Sequence, residues 1–373
     1  MKKRFLVGLM VATIGIGLVG CGAKKDATVP KEDTKTQTQT KDDEKYVGLV
    51  TDVGSIDDKS FNEGSWNGVK DFAEKNGYKC DFFRPAADTE ESRAEAFDKA
   101  VNAGADVIVC VGSLFENVAY TKQNEYKDIE ILLVDGEPKD KDGNVSYNEN
   151  ISTIIFKEEE SGYLAGYAAV KEGFKKLGFL GGMDIPAVRR FGYGYVQGAE
   201  AAAKEMNIKD VSVNYMYTGG FTPSDEITVN MKKWYDEGTE VIFSCGGGIL
   251  YSVIEASGND ANRKIIGVDV DQSNESENIV FSAMKDLTTS ISQALQLYED
   301  NKCKWPEDRA GKKYSAGVKE NGVGLSATEG SWRVKNTTIA QYNEMIENMK
   351  KTDLNIADEE LPKLEHVKLN KVN

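Results

Sequence analysis

The sequence predicts an α/β protein of two Rossmann-like lobes, each built on a parallel sheet, with a ligand cleft between them. Three observations carry this. Short apolar runs of strand length alternate with stretches of helical periodicity along residues 46–300, which implies parallel sheets covered on both faces. The pattern repeats: three runs in the first half stop at Thr51-Asp52, Gly112-Ser113 and Asp135-Gly136, and three in the second half stop at Gly181-Gly182, Gly246-Gly247 and Asp269-Val270-Asp271. The chain has 373 residues, more than one ordinary core organises. Ligands of open α/β sheets collect at the carboxyl ends of strands, so two such halves facing each other would place six polar loops around one cleft.

The clearest strand runs are 46–51, 107–111, 131–134, 177–180, 241–244 and 265–268; weaker ones are 79–83, 151–155, 211–216 and 279–282. Helical spacing covers 60–76, 89–102, 116–126, 157–171, 188–206, 223–236, 250–257 and 287–298. Ser60 and Glu63 have the spacing of a capping box, and Gly77 suits a helix stop. This puts Phe61 and Asn62 in the first turn, at the cleft rim. An aromatic ring and an amide there suit a flat small molecule with polar edges. Beyond residue 318, 323–332 reads as a short strand or hairpin and 336–350 as a helix, while the charged last 20 residues are expected to dock only weakly. The expected lobes are 46–152 plus about 281–318, and 153–280 plus about 319–373.

The N-terminus reads as an export signal. Lys2, Lys3 and Arg4 precede an uncharged apolar stretch of 15 residues, 5–19, which is short for a transmembrane span. It ends in LVGC (18–21), which resembles the lipobox of bacterial lipoproteins, so that residues 1–20 are a signal peptide and Cys21 is the lipidated first residue of the mature chain. Acylation at Cys21 implies a membrane anchor, stable with more than one chain. Residues 22–45 have no apolar periodicity and read as a solvated tether, with a root-mean-square span of roughly 25–30 Å.

The formal charge is −15, and removing the three leader cations makes it −18. Nucleic-acid partners need clustered Lys or Arg, so a nucleic-acid role is excluded. The cysteines are too widely spaced for zinc pairs. His366 is the only histidine, which disfavours Ser-His-Asp, Cys-His and His-metal chemistry. No Lys-Ser/Thr follows Gly246-Gly247-Gly248, so no P-loop is present. Neither a metal nor a cofactor is expected.

The segments VTDVGSIDDKSFNEG (50–64), GGMDIPAVRRFG (181–192) and GVDVDQ (267–272) resemble the basic membrane protein family, and within it the purine nucleoside receptor lipoproteins; the likeness covers roughly 46–340. The resemblance implies a type I periplasmic-binding fold that delivers nucleosides, such as guanosine, adenosine or inosine, to the permease of an ABC importer, with the chain a monomer. It implies that Phe61 stacks on one face of a purine and Phe221 on the other. Asn62 and Asp135 resemble the pair that bonds the base edge. Gly246, Asp269 or Asp271, and Lys285 resemble the ribose set, with the choice between the two acids open. Asp52 also fits a ligand contact. One lysine among these acids suits an uncharged nucleoside better than a nucleotide.

Asp57 and Asp58 read as a solvated loop or a helix-dipole cap, and Arg189 and Arg190 as surface residues. Two other functions compete. The acids around Asp52 loosely resemble the calcium-binding cluster of nucleoside hydrolases, but Gly54 stands where those enzymes have a second acid, and calcium needs six to eight oxygens. A sugar or autoinducer receptor of the same fold would also use aromatics and carboxylates.

Overall fold

The computed structural model describes residues 44–352 and 354–372. The 1–20 leader, Cys21 and nearly all of the tether lie outside the described residues. In chain order the strands are β1 (Tyr46–Val50), β2 (Lys79–Phe83), β3 (Val107–Val111), β4 (Glu130–Val134), β5 (Ile151–Phe156), β6 (Lys176–Gly181), β7 (Val211–Tyr217), β8 (Val241–Cys245), β9 (Lys264–Asp269), β10 (Ile279–Lys285), β11 (Lys312–Ala316), β12 (Val323–Leu325) and β13 (Val367–Lys371). The α-helices are α1 (Phe61–Asn76), α2 (Glu90–Asn102), α3 (Glu116–Glu125), α4 (Glu158–Glu172), α5 (Pro186–Glu205), α6 (Asp225–Asp236), α7 (Ile249–Ser257), α8 (Leu287–Asp300) and α9 (Ile339–Lys351).

One sheet runs β11-β5-β4-β3-β1-β2 and is parallel throughout. The other runs β12-β10-β9-β8-β6-β7-β13 and is parallel except for β12, which lies antiparallel to β10. Burial follows position. Every residue of the interior strands β1, β3, β4 and β8 is buried, as strands covered on both faces require. The edge strand β2 leaves Lys79, Asp81 and Phe82 exposed.

The chain passes from the six-stranded to the seven-stranded sheet after Phe156, returns after Lys285 to supply β11, and crosses again after Ala316 to supply β12. β5 lies in register between β4 and β11, and β10, after a register shift between Ile279 and Phe281, pairs with β9 as far as Met284 and Asp269. After β10 the chain returns to the first lobe, where α8 packs on α1; a methyl on Gly68 would strike the carbonyl oxygen of Thr288.

In the second lobe α4 and α5 touch backbone to backbone. A methyl on Gly162, Gly166, Gly194 or Gly198 would overlap the carbonyl oxygen of Phe191, Tyr195, Glu159 or Tyr163 respectively. Four glycines thus bring the N-terminal end of α4 against the front of α5. The charged C-terminus docks more firmly than expected, since β13 adds a parallel strand beside β7. The Glu200 carboxylate accepts the backbone N–H groups of Glu365, His366 and Val367 at 3.0, 2.9 and 2.8 Å.

Candidate functional site

The loops at the carboxyl ends of the parallel strands gather the polar residues. Asp135 follows β4 directly, Lys285 closes β10 and Asp269 closes β9. Asp135 and Asp269 both take left-handed backbone, with φ of 58° and 65°, a region few non-glycine residues adopt outside functional or turn positions. Both side chains end on one ammonium. Lys285 Nζ stands 2.5 Å from Asp135 and 3.4 Å from each of Asp269 and Glu158. It also lies 4.3 Å from the centroid of the Phe61 ring. All four charged residues of this cluster are buried.

Burial works against the Lys285 ammonium, but the carboxylates of Asp135, Asp269 and Glu158 hold its pKa above the ordinary lysine value. Burial pushes the Glu158 carboxyl well up. Arg190 opposes that rise: its Nε donates to Glu158 Oε2 at 2.6 Å.

The cluster ties the sheets together. Asp135 belongs to the six-stranded sheet and Lys285 to the seven-stranded one. Ser60, at the start of α1, donates its hydroxyl to Asp269 Oδ2 at 2.5 Å. Gln272 accepts the Val268 N–H and donates to the Lys59 carbonyl at 2.8 Å.

The first turn of α1 departs from expectation. Ser60 makes no side-chain cap, because its hydroxyl is committed to Asp269. Asp58 caps instead. Its Oδ1 accepts the N–H groups of Ser60 and Glu63 at 2.8 and 3.1 Å, and its Oδ2 accepts the Asn62 N–H at 3.0 Å. Asp58 is thus a partly buried cap and no free loop acid, and burial lifts its carboxyl to about 6. Asp57 stays exposed.

Asn62 is buried, and its Nδ2 donates to Asp52 Oδ1 at 2.8 Å and Asp58 Oδ2 at 3.1 Å. Asp52 also accepts the Gly54 N–H at 2.6 Å, and burial raises its pKa. Asp52 therefore sets the Asn62 amide. Phe221 rests on glycines at two strand ends. A methyl on Gly182 would overlap its ring, and one on Gly246 would come within 3.0 Å of it. A methyl on Gly247 would stand 3.8 Å from Asp58 Oδ2, so the β8 loop of one lobe approaches the α1 loop of the other.

The structure thus brings Phe61, Asp135, Asp269 and Lys285 into one cluster and attaches Asn62 to Asp52 beside it. Asp271 does not join: it is exposed, and its carboxylate accepts the Ser273 N–H of its own turn at 3.0 Å. Only its side chain faces outward, since Gln272 and Ser273 after it are buried. Arg190 is also not the surface residue expected, since its side chain is 15% exposed and pairs with the fully buried Glu158; Arg189 pairs with exposed Asp184. Glu158, Arg190, Ser60 and Gln272 were not legible as site residues. Glu158 sits in an acidic run, 158–160, that reads as an ordinary helix start. Among the described residues no group of three or more His, Cys, Asp or Glu could hold a metal ion.

A family model for the ABC transporter substrate-binding protein PnrA-like family matches residues 45–361. The chain belongs to that family. It is a solute-binding component of an ABC transporter and not an enzyme. The ABC transporter nucleoside-binding protein BmpA of Lactococcus lactis is 24% identical over 93% of this chain and 98% of its own. Basic membrane protein A of Borreliella afzelii is 31% identical over 75% of this chain and 82% of its own. An ABC transporter solute-binding protein from Aeropyrum pernix superposes with a TM-score of 0.66 at 24% identity, covering 82% of this chain and 86% of that one. A lac repressor superposes with a TM-score of 0.53 at 12% identity, covering 78% of this chain and 100% of that one. These neighbours show the type I periplasmic-binding fold. Among the described residues no helix is long and apolar enough to cross a membrane.

Proposed function

We propose that this family member binds a purine nucleoside between its lobes and delivers it to the permease of an ABC importer. The observation that carries the reading is the Lys285 cluster: an aromatic face and carboxylates from both sheets gathered around one ammonium. Such a set offers stacking to a base, worth roughly 1–3 kcal/mol per base, and charge-assisted bonds to sugar hydroxyls. The name of the Lactococcus lactis relative supports the same ligand class. In this reading Phe61 and Phe221 take the two faces of the purine. Asn62 and Asp135 meet its edge, and Gly246, Asp269 and Lys285 meet the ribose. Asp52 acts through Asn62.

Three carboxylates facing one lysine and one arginine disfavour a phosphate, so the ligand is an uncharged nucleoside. The chain is lipidated at Cys21, anchored on the extracytoplasmic face and monomeric, and hinge closure of the lobes around the nucleoside forms the surface the permease reads. Native mass spectrometry of the freshly purified protein tests this. A bound species with the mass of guanosine, adenosine or inosine is the expected result. A retained free hexose or pentose would instead favour the sugar receptor.

A further inference from the structure

Lys285 has two kinds of partner. Asp135 belongs to the other sheet, while Glu158 and Asp269 share its own lobe. Opening of the cleft would therefore take Asp135 away and leave the ammonium with the acids of the seven-stranded side. Asp269 is itself engaged by Ser60 across the cleft. Glu158 is the better-fixed partner. One carboxylate oxygen is taken by Arg190 Nε at 2.6 Å, and the other stands 3.4 Å from Lys285 Nζ. The mounts of Glu158 and Arg190 are rigid at the positions beside them: Gly194 abuts the carbonyl of Glu159, and Gly162 abuts the carbonyl of Phe191.

We propose that Glu158 and Arg190 are positioning residues, a buried clamp that holds the Lys285 ammonium in place on its own lobe whether or not Asp135 is near. The clamp makes the cation part of a pre-formed half-site, so that closure on a ligand does not have to order a free lysine side chain, an ordering that costs binding energy. Neither residue touches the ligand. The inference rests on the reading that Lys285 meets the ligand, but the holding of Lys285 is separately measurable. A staple between α4 and α5 would be redundant there, because four glycine contacts already lock those helices.

The test uses the full soluble receptor and its Glu158→Gln and Arg190→Gln variants, with Arg189→Gln as control. Without ligand, reductive methylation read by mass spectrometry reports how accessible the Lys285 amine is. With guanosine, calorimetry reports affinity, and thermal melts report folding. The clamp predicts that Lys285 is methylated much faster in Glu158→Gln and Arg190→Gln than in the wild type or Arg189→Gln. It also predicts that guanosine binds at least about tenfold more weakly in both, beyond anything the loss of melting temperature explains. Equal methylation in all four proteins, each still folded, overturns the clamp. If the wild type ignores guanosine, the nucleoside reading falls, while the methylation result still decides the clamp.

Discussion

Lys285 Nζ and Asp135 Oδ2 meet at 2.5 Å, and the two residues belong to different sheets. This ion pair, buried on both sides, joins the two halves of the molecule, as the Ser60–Asp269 hydrogen bond does beside it. Glu158, Asp269 and Phe61 all reach the same ammonium.

Removing that ammonium leaves three buried carboxylates facing one another. Lys285→Met should destabilise the folded protein by about 3–5 kcal/mol, as loss of one member of a buried pair does. Denaturant unfolding at neutral pH measures this. A loss of under about 1 kcal/mol, the range of an exposed pair, would show that Lys285 is not the shared counter-ion.

Stacking rests on Phe61. Phe61→Ala should weaken guanosine binding at least tenfold, about 1.4 kcal/mol, with little change in the melting temperature because the ring is only partly buried. Calorimetric titration checks it, and an unchanged dissociation constant counts against the placement of the ring.

The α4–α5 contact has no room for a methyl. Gly166→Ala should cost about 1–3 kcal/mol or more through overpacking, because the atom it meets is a backbone carbonyl that cannot swing aside. Gly219→Ala is a poor control, since φ there is 81°. Gly220, with nothing within 4 Å of an added methyl, is the proper one and should lose far less.

Stability should depend on pH in an unusual direction between pH 5 and 8. Burial lifts Asp58 to about 6 and Glu159 to about 7, from ordinary values of 3.8 and 4.5, and it raises Glu158 as well. A carboxyl whose folded pKa is raised binds its proton more tightly when folded. Its contribution to stability is therefore full below the unfolded value and is lost as pH rises through the folded value. Melting temperature should fall from pH 5 to pH 8, and Glu159→Gln should flatten that slope. A melting temperature that climbs with pH in this window would refute the assignment.

Much of this architecture is readable from the chain alone, for identifiable reasons. β3 begins and ends at the residues that its apolar run marks, and β2, KCDFF, spans the residues of the weaker 79–83 run. β11 and β13 carry no apolar strand signal: their segments, KKYSA and VKLNK, are mostly polar and form the sheet edges. The site divides in the same way. Asp135 and Asp269 stand at strand ends, where position along the chain signals a role. Glu158 and Arg190 owe theirs to the packing of α4 on α5, a tertiary fact that acidic and basic residues at ordinary helix positions do not announce. Ser60 has a capping-box sequence, yet a partner 209 residues away takes its hydroxyl. Local pattern and long-range chemistry compete there, and the long-range partner wins.

The most direct test of a nucleoside held by groups from both lobes is a calorimetric titration of the delipidated receptor with guanosine, repeated in excess ribose and with guanosine 5′-monophosphate. Saturable binding of one guanosine per chain, untouched by ribose and far weaker for the monophosphate, is the predicted result. No heat beyond dilution with guanosine, or displacement by ribose, would contradict it.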